Sequence, residues 1–321
     1  MRFVVTGGAG FIGSCIVRTL NDLGHNDIII VDNIASTEKW KNIRNKSFFD
    51  YIQKDRFLDV LPSMRDVTHI IHMGACSSTT EKNFDYLYWN NFDYSRRLWD
   101  YCSKEGISFI YASSAATYGD GAFGFSDDIG IKGLIPLNAY GYSKQMFDLW
   151  AEKQTDKPKQ HVGMKFFNVY GPNEYFKGDM ASVIYHAYRT VKRDGKIRLF
   201  KSHREECPDG EQKRDFLYVK DLCRVIRFFI NRPDLSGLYN LGTGKAETFD
   251  QLAGSVFNAL NMSPVIEYID MPESIRAKYQ YFTEADINKL RSVGYEEAFH
   301  DLEKGTEDYI NNYLEKEFLI Y

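Results

Sequence analysis

Ser114, Tyr140 and Lys144 are the side chains whose types and spacing suit redox chemistry at an alcohol. Tyr140 and Lys144 stand four residues apart in "AYGYSK", so on a helix they share one face. A lysine ammonium beside a phenol stabilises the phenolate and lowers the tyrosine pKa towards working pH. Ser114 ends an apolar run in "IYASSAATYG", behind Ser113, and can hydrogen-bond the same substrate oxygen. Together these groups take the proton of an alcohol while hydride leaves its carbon. Tyrosines and lysines are common on helices, so the set carries this meaning only if the chain also builds a site for a hydride acceptor. Lys177, in "YGPNEYFKGDMAS", is a fourth acid/base candidate that spacing alone leaves as a surface lysine.

The acceptor site is written near the start. "VVTGGAGFIG" places Gly7, Gly10 and Gly13 between an apolar strand and a helical pattern. Glycines at this spacing allow a tight turn, close approach of a pyrophosphate to the backbone, and close helix–strand packing. The helix start then offers free N–H groups and a partial positive charge to the phosphates. Strand, turn, helix and second strand arrive in the order that dinucleotide binding requires and end in Asp32. An acid there takes a ribose 2′-hydroxyl and favours NAD, whereas Lys39 and Lys54 downstream could offset it and admit the 2′-phosphate of NADP. The residues leave the two cofactors open. Met73, Gly74, Ala75, Cys76 and Ser77 leave the third strand where the chain must pass close to the cofactor. Asn90, on the next helix, reads either as a cofactor contact or as a buried polar anchor.

The elements that must position these groups alternate. "FVVTG", "DIIIVD", "VTHIIHM", "ISFIYAS" and "HVGMKFFNV" read as strands, with helices over 11–23, 84–104 and 139–154. Continuous apolar strands imply a parallel sheet covered on both faces, and the β-α-β order predicts an α/β, doubly wound parallel sheet of the Rossmann type. Past about residue 170 the pattern becomes that of a smaller mixed α/β domain. It holds a helix over 180–193, "KIRLF", a polar loop over 201–214, strands at "DFLYV" and "GLYNLG", and helices near 249–260 and 284–291. The expected division is a dinucleotide-binding domain over 1–168, rejoined by segments near 214–243, and a mainly substrate-binding remainder over 169–321.

Composition narrows the classes. With 321 residues and 44% hydrophobic content, the chain can bury one large core or two joined ones. A net charge of −4 gives no basic field for nucleic acid or an anionic membrane, and neither partner is expected. The five cysteines are scattered without metal-ligand spacing, which predicts free thiols in a reducing compartment and no metal. No apolar run reaches the ~18 residues that span a bilayer, so a cytoplasmic protein is expected.

The wording of the motifs carries a resemblance. TGGAGFIG, SSAATYG, YGYSK and FFNVYGP are similar to the extended short-chain dehydrogenase/reductase family of nucleotide-sugar epimerases and dehydratases. Ala115, Ala116 and Thr117 stand where the dehydratases carry Asp-Glu, which disfavours a 4,6-dehydratase. "GACSSTTE", "NVYGPNEYFKGDMASV", "RDFLYVKD", "NLGTGKAETF" and "KYQYFTEADI" resemble, across essentially the whole chain, the branch that inverts C6″ of an ADP-heptose for lipopolysaccharide core. That resemblance implies NADP, with Lys39 and Lys54 near its 2′-phosphate, and adds Phe11, Ile12, Asn33 and Val169 to the cofactor contacts. It implies substrate contacts at Ser114, Asn168, Asp179, His186, Arg214 and Tyr279, and along Phe200, Lys201, Ser202 and His203. It also implies a homo-oligomer, often a pentamer, with ADP-heptose as its small-molecule partner.

The same resemblance gives Lys177 a role. Inversion at C6″ passes through a ketone whose other face must turn to the reduced cofactor. The centre is exocyclic, so rotation about C5″–C6″ suffices, but the C6″ oxygen and the terminal carbon then exchange places. One fixed acid/base cannot serve both poses equally, so Tyr140 is expected to serve one and Lys177 the other. Burial and like charge near the nicotinamide would lower the Lys177 pKa. Two departures stand out: Asp179 replaces a serine common in the family, and 204–213 is longer than usual. Alternative readings are a nucleotide-sugar 4-epimerase, which would not need Lys177, and a non-catalytic NADP-binding scaffold, which need not keep Ser114, Tyr140 and Lys144.

Overall fold

Val4, Val5, Ile28–Val31, Ile70, Ile71, Phe109 and Ile110 are buried without a polar interruption. Side chains on both faces of these strands therefore need cover, which a parallel sheet between helix layers supplies. The computed structural model describes residues 1–276 and 279–321. Its strands are β1 (Arg2–Thr6), β2 (Ile28–Asp32), β3 (Asp50–Gln53), β4 (Val67–His72), β5 (Ser108–Ser114), β6 (Gln160–Phe166), β7 (Asn168–Tyr170), β8 (Ile197–Phe200), β9 (Lys213–Tyr218), β10 (Gly237–Leu241), β11 (Ala246–Thr248) and β12 (Ile266–Ile269). Seven of them form one sheet in the order β10-β6-β5-β4-β1-β2-β3, parallel throughout. Two smaller sheets follow, β11-β9-β7 and β12-β8.

The helices are α1 (Phe11–Asp22), α2 (Lys54–Val60), α3 (Phe84–Leu87), α4 (Tyr94–Glu105), α5 (Ala139–Glu152), α6 (Val183–Asp194), α7 (Val219–Ile230), α8 (Phe249–Ala259), α9 (Glu273–Arg276), α10 (Asn288–Ser292) and α11 (Leu302–Tyr309). Ile16, Val17 and Leu20 of α1 join the core on one face of the large sheet, together with Leu222, Val225 and Ile226 of α7. Leu98 and Trp99 of α4 and Phe147 and Ala151 of α5 cover the other. None of the described helices is long and apolar enough to cross a membrane.

Strand order reverses between β1 and β4, and the crevice outside the carboxyl ends of such strands is where open α/β sheets bind ligands. At that point Gly7 adopts a left-handed φ of 66°. A Cβ on Gly7 would lie 2.7 Å from the Gly74 amide nitrogen, so the turns after β1 and β4 meet backbone to backbone.

Several elements differ from the sequence expectation. The single helix expected over 84–104 is α3 and α4 joined by a π-helical turn, Tyr88–Asp93. The strand expected through Val169 breaks at Phe167, whose amide bonds to Leu241 of β10 while β7 turns away to pair with β9. The helix expected from Glu284 begins at Asn288, because Ala285 donates its amide to the buried Asp215 carboxylate instead. The sequence reading has no counterpart for β3, α2, β11, β12, α9 and α11. β3 is an edge strand of mixed polarity, which weakens its periodic signal.

Gly7→Ala tests the backbone contact. It should lower folding stability by about 1–3 kcal/mol through the left-handed φ and the Gly74 clash. A melting temperature equal to that of the parent chain would show that this contact does not hold the turn.

Candidate active site

The turn after β1, the turn after β4, the end of β5 and the start of α5 enclose a cleft of about 470 Å³. Each residue singled out for the cofactor lines it: Gly7 and Gly10 from the first turn, Phe11, Ile12 and Gly13 from the start of α1, Asp32 at the end of β2, Asn33 and Lys39 beyond it, and Lys54 from α2. Met73 to Ser77, Asn90, Val169 and Lys177 complete the wall, with Tyr140, Lys144 and Ser114 at one end. Gly10 precedes α1 without a capping side chain, so the first-turn N–H groups of that helix face the cleft mouth uncapped. Side-chain-free backbone and an uncapped 12-residue helix are what a pyrophosphate needs, and the cleft fits a dinucleotide on those grounds.

Asp32 is buried and its carboxylate is already engaged. Oδ2 accepts from the Ala9 amide at 2.9 Å, and Oδ1 accepts from the Asn33 amide and the Lys39 ammonium, both at 2.7 Å. Lys54 donates to the Asn90 side chain at 2.7 Å. Asn90 is only half-buried. The buried anchor is its neighbour Asn91, which exchanges two hydrogen bonds with Cys76 at 2.8 and 2.9 Å and donates to Ser143 of α5 at 2.9 Å. Asn91 therefore ties the turn after β4 to the helix that carries Tyr140 and Lys144. Two adjacent asparagines in "WNNFD" cannot be told apart by a 3.6-residue period when a π-helical turn shifts the register.

Tyr140 and Lys144 come to the cleft on one turn of α5, whose N-cap Asn138 accepts from the Gly141 amide at 2.8 Å. Burial dominates the electrostatics of both. It raises the Tyr140 pKa, and a hydrogen bond with Ser114 draws it back only in part. Burial lowers Lys144 to about 8, against the charges of Asp148 and Cys76. The lowering of the phenol by Lys144 that the spacing suggests is not found: Ser114 is the group that draws the Tyr140 pKa down, and burial leaves it raised. Lys144 donates to the Ala112 carbonyl at 3.0 Å, which holds its ammonium beneath the end of β5.

Behind these groups lies a polar layer that the motifs did not reveal. Asp148, one turn further along α5, accepts from Ser113 at 2.5 Å and pairs with Lys165 of β6 at 3.8 Å, both charges being 1% exposed. Lys165 also donates to Thr117 at 2.6 Å. Ser113 accordingly faces the interior while Ser114 faces the cleft, the alternation that a strand imposes. The i, i+4 spacing of Lys144 and Asp148 was the available signal, but an acidic residue on a helix is usually solvated.

Lys177 lines the same cleft, with its ammonium 5.3 Å from the centre of the Phe11 ring. Burial lowers its pKa, and the Glu174 charge opposes that shift. The other substrate candidates lie outside the cleft wall. Asn168 and Asp179 are exposed, the first beside Val169 and the second two residues beyond Lys177; His186 is half-buried on α6. Phe200 ends β8 and Lys201, Ser202 and His203 follow it, with Arg214 on β9 and Tyr279 after α9. The buried Arg214 guanidinium lies 5.1 Å from the centre of the Tyr279 ring and donates to the carbonyls of Lys213 and Gln280. His203 donates its amide to the Tyr281 hydroxyl at 2.9 Å. The fork that a diphosphate would need is therefore engaged with backbone carbonyls in this arrangement.

Residues 3–242 match the model of the NAD dependent epimerase/dehydratase family. The chain belongs to that family. Among curated relatives, it is 49% identical to the ADP-L-glycero-D-manno-heptose-6-epimerase of Fusobacterium nucleatum, with 98% of each chain covered. It is 51% identical to the protein of the same name from Nitratidesulfovibrio vulgaris, with 97% of this chain and 98% of the relative covered. The crystal structure of the Helicobacter pylori ADP-L-glycero-D-manno-heptose-6-epimerase superposes with a TM-score of 0.79 at 24% identity, covering 97% of this chain and 95% of that one. As a member of this epimerase family the chain uses a nicotinamide cofactor. Its glycine turn, the uncapped start of α1 and the Ser114–Tyr140–Lys144 set converge on one cleft, and that cofactor fits there.

Tyr140→Phe removes the hydroxyl expected to transfer the proton while keeping the ring that lines the cleft. Turnover should fall by about 10²–10⁴-fold, with cofactor still bound. Activity within a few fold of the parent enzyme would take Tyr140 out of the chemistry.

Proposed function

We propose that this chain inverts C6″ of ADP-D-glycero-D-manno-heptose to give the L-glycero epimer, a heptose donor for lipopolysaccharide core. The observation that carries this reading is 49–51% identity, over nearly the full length, to proteins of that name. The geometry supports it with two separate acid/base side chains, Tyr140 and Lys177, on one cleft. That is what a reaction at an exocyclic carbon with two substrate poses requires, and what a 4-epimerase would not need.

The cofactor proposed is NADP. Asp32 has little capacity left for a ribose 2′-hydroxyl, since its oxygens already accept two backbone amides and the Lys39 ammonium. Lys39 offsets its charge, and Lys54 adds a second cation to the same wall. A 2′-phosphate would meet cations there rather than a bare carboxylate. A nicotinamide held by the glycine turn, Lys39 and Lys54 would supply the hydride acceptor and donor that inversion at C6″ needs.

The chain's own groups handle the proton and the pose. Tyr140 takes the C6″ hydroxyl proton in one pose, with Ser114 bonded to the same oxygen and Lys144 supplying positive charge beneath it. In the other pose the oxygen lies nearer Lys177, which exchanges the proton there. Burial lowers its pKa from the usual lysine range, which makes its ammonium a readier proton donor. The small sheets with α6 and α8 form the substrate side of the molecule, where Asn168, Asp179, His186, Arg214, Tyr279 and the 200–203 segment are proposed to hold the ADP-sugar. Arg214 would have to exchange its backbone carbonyls for the diphosphate.

Two experiments test this reading. Pure protein incubated with ADP-D-glycero-D-manno-heptose should interconvert the C6″ epimers, and Lys177→Met should lose about 10²-fold or more of that turnover while retaining cofactor. No interconversion, with turnover of a UDP-hexose instead, would replace the assignment with a 4-epimerase; near-normal turnover of Lys177→Met would return Lys177 to the surface lysines. Secondly, the protein as purified from the cytoplasm should release NADP rather than NAD on denaturation and run in solution at the mass of a homo-oligomer, a pentamer by resemblance. Release of NAD, or a monomeric mass, would remove the corresponding part.

A further inference from the structure

Glu174 is fully buried, yet nothing assigned so far uses it. It stands in the turn between β7 and α6, three residues before Lys177. One carboxylate oxygen accepts from the Gly171 amide at 3.2 Å and the Ser182 hydroxyl at 2.7 Å, and the other accepts from the Ser182 amide at 2.6 Å. Gly171 and Ser182 are the two ends of the segment that carries Lys177. Within it, Lys177 donates its amide to the Glu174 carbonyl at 3.0 Å, and Met180 donates to the Lys177 carbonyl at 3.2 Å. Ser182 passes the connection on as the N-cap of α6, accepting from the Tyr185 amide at 3.1 Å.

We propose that Glu174 is a positioning residue for Lys177: its carboxylate closes the turn at both ends and sets where, and in which charge state, the ammonium stands at the cleft. This rests on Lys177 being the second acid/base group. Three donors converge on the carboxylate, so an acceptor-only group is required, and an amide would turn a donor against one of them. Burying a carboxylate is costly without such partners. Burial raises the Glu174 pKa, while Lys177 and the bonds from Ser182 and Gly171 draw it down. The ionisable groups facing it are Lys177 on its own turn, Tyr175 beside it and Tyr309 from α11. Lys177 is the cationic member of that set, so loss of the Glu174 charge should leave its ammonium less favoured and its pKa lower.

The test uses purified holoenzyme and small-probe labelling. Acetic anhydride across a pH series, followed at the Lys177 peptide by mass spectrometry, reads the protonation of that amine without relying on turnover. In Glu174→Gln the Lys177 labelling midpoint should move to lower pH, and kcat should fall about tenfold or more with KM within about threefold and cofactor content unchanged. Glu174→Asp, which keeps the charge on a shorter arm, should restore the midpoint more fully than kcat. An unmoved midpoint with parental kcat in Glu174→Gln would overturn this proposal alone, whereas normal turnover of Lys177→Met would overturn the second-base reading alone. Should Glu174→Gln fail to fold, Ser182→Ala deletes one of the three bonds and keeps the charge; Ser182→Gly, which lacks the same hydroxyl but tolerates the cap position, controls for loss of the α6 N-cap. A lower kcat at an unmoved midpoint would then support the clamp, and a parental kcat would overturn it.

Discussion

The arrangement of the cleft depends on one backbone contact, the approach of the turn after β1 to the turn after β4. Gly7 and Gly74 meet where a Cβ on either would crowd the other's backbone. Because they meet, α1 begins at the switch point of the sheet with its amides directed at the cleft mouth. The turn after β4 then continues through Cys76 to Asn91 and, through Ser143, to α5. A contact between two loops thereby fixes the glycine-turn end of the cleft and, two hydrogen bonds later, the helix that carries Tyr140 and Lys144.

Burial of charge is the second constraint. Lys144, Asp148, Lys165 and Glu174 are buried at or behind the carboxyl ends of the strands, and each is held by partners rather than by solvent. Their environments push the acids up and the lysines down. The Asp148–Lys165 pair gives Lys144 a fixed counter-charge beneath the cleft without sharing its opening. Such a layer contributes little net stability, since desolvation offsets most of the attraction. What it supplies is a polar floor whose charges do not reorganise when the cleft fills.

Much of this was legible in the sequence. The parallel sheet follows from Val4–Val5, Ile28–Val31 and Ile70–Ile71, which leave no polar face. The cofactor cleft follows from the glycine spacing, and Tyr140 and Lys144 from theirs. What was not legible had no local period. Asn91 rather than Asn90 is the anchor because the π-helical turn inserts a residue where no breaker announces it. Asp148 and Glu174 look like surface acids until three-dimensional neighbours bury them. Arg214 and Tyr279 do meet, but which atoms the guanidinium holds depends on the crossing of β9 with the chain after α9.

The turn bearing Lys177 shows how the two halves of the molecule are coupled. Asn173, at a left-handed φ of 76°, donates to Ser14 of α1 at 2.9 Å, and its carbonyl accepts from Asn42 at 3.1 Å. Its side-chain oxygen accepts from the Tyr321 amide at 2.9 Å, and Tyr175 donates to the Leu319 carbonyl at 2.8 Å. The segment is thus pinned to the helix behind the glycine turn, to the stretch after Lys39, and to the last residues of the chain. Ser14 and Asn173 are the direct hydrogen-bonded link between α1 and the turn that carries Glu174 and Lys177. Lys177, proposed as the second acid/base group, thus has its place at the cleft set by the same contacts that hold the glycine turn. That is a physical reason for Lys177 to sit in a short turn between β7 and α6 rather than on a helix of its own.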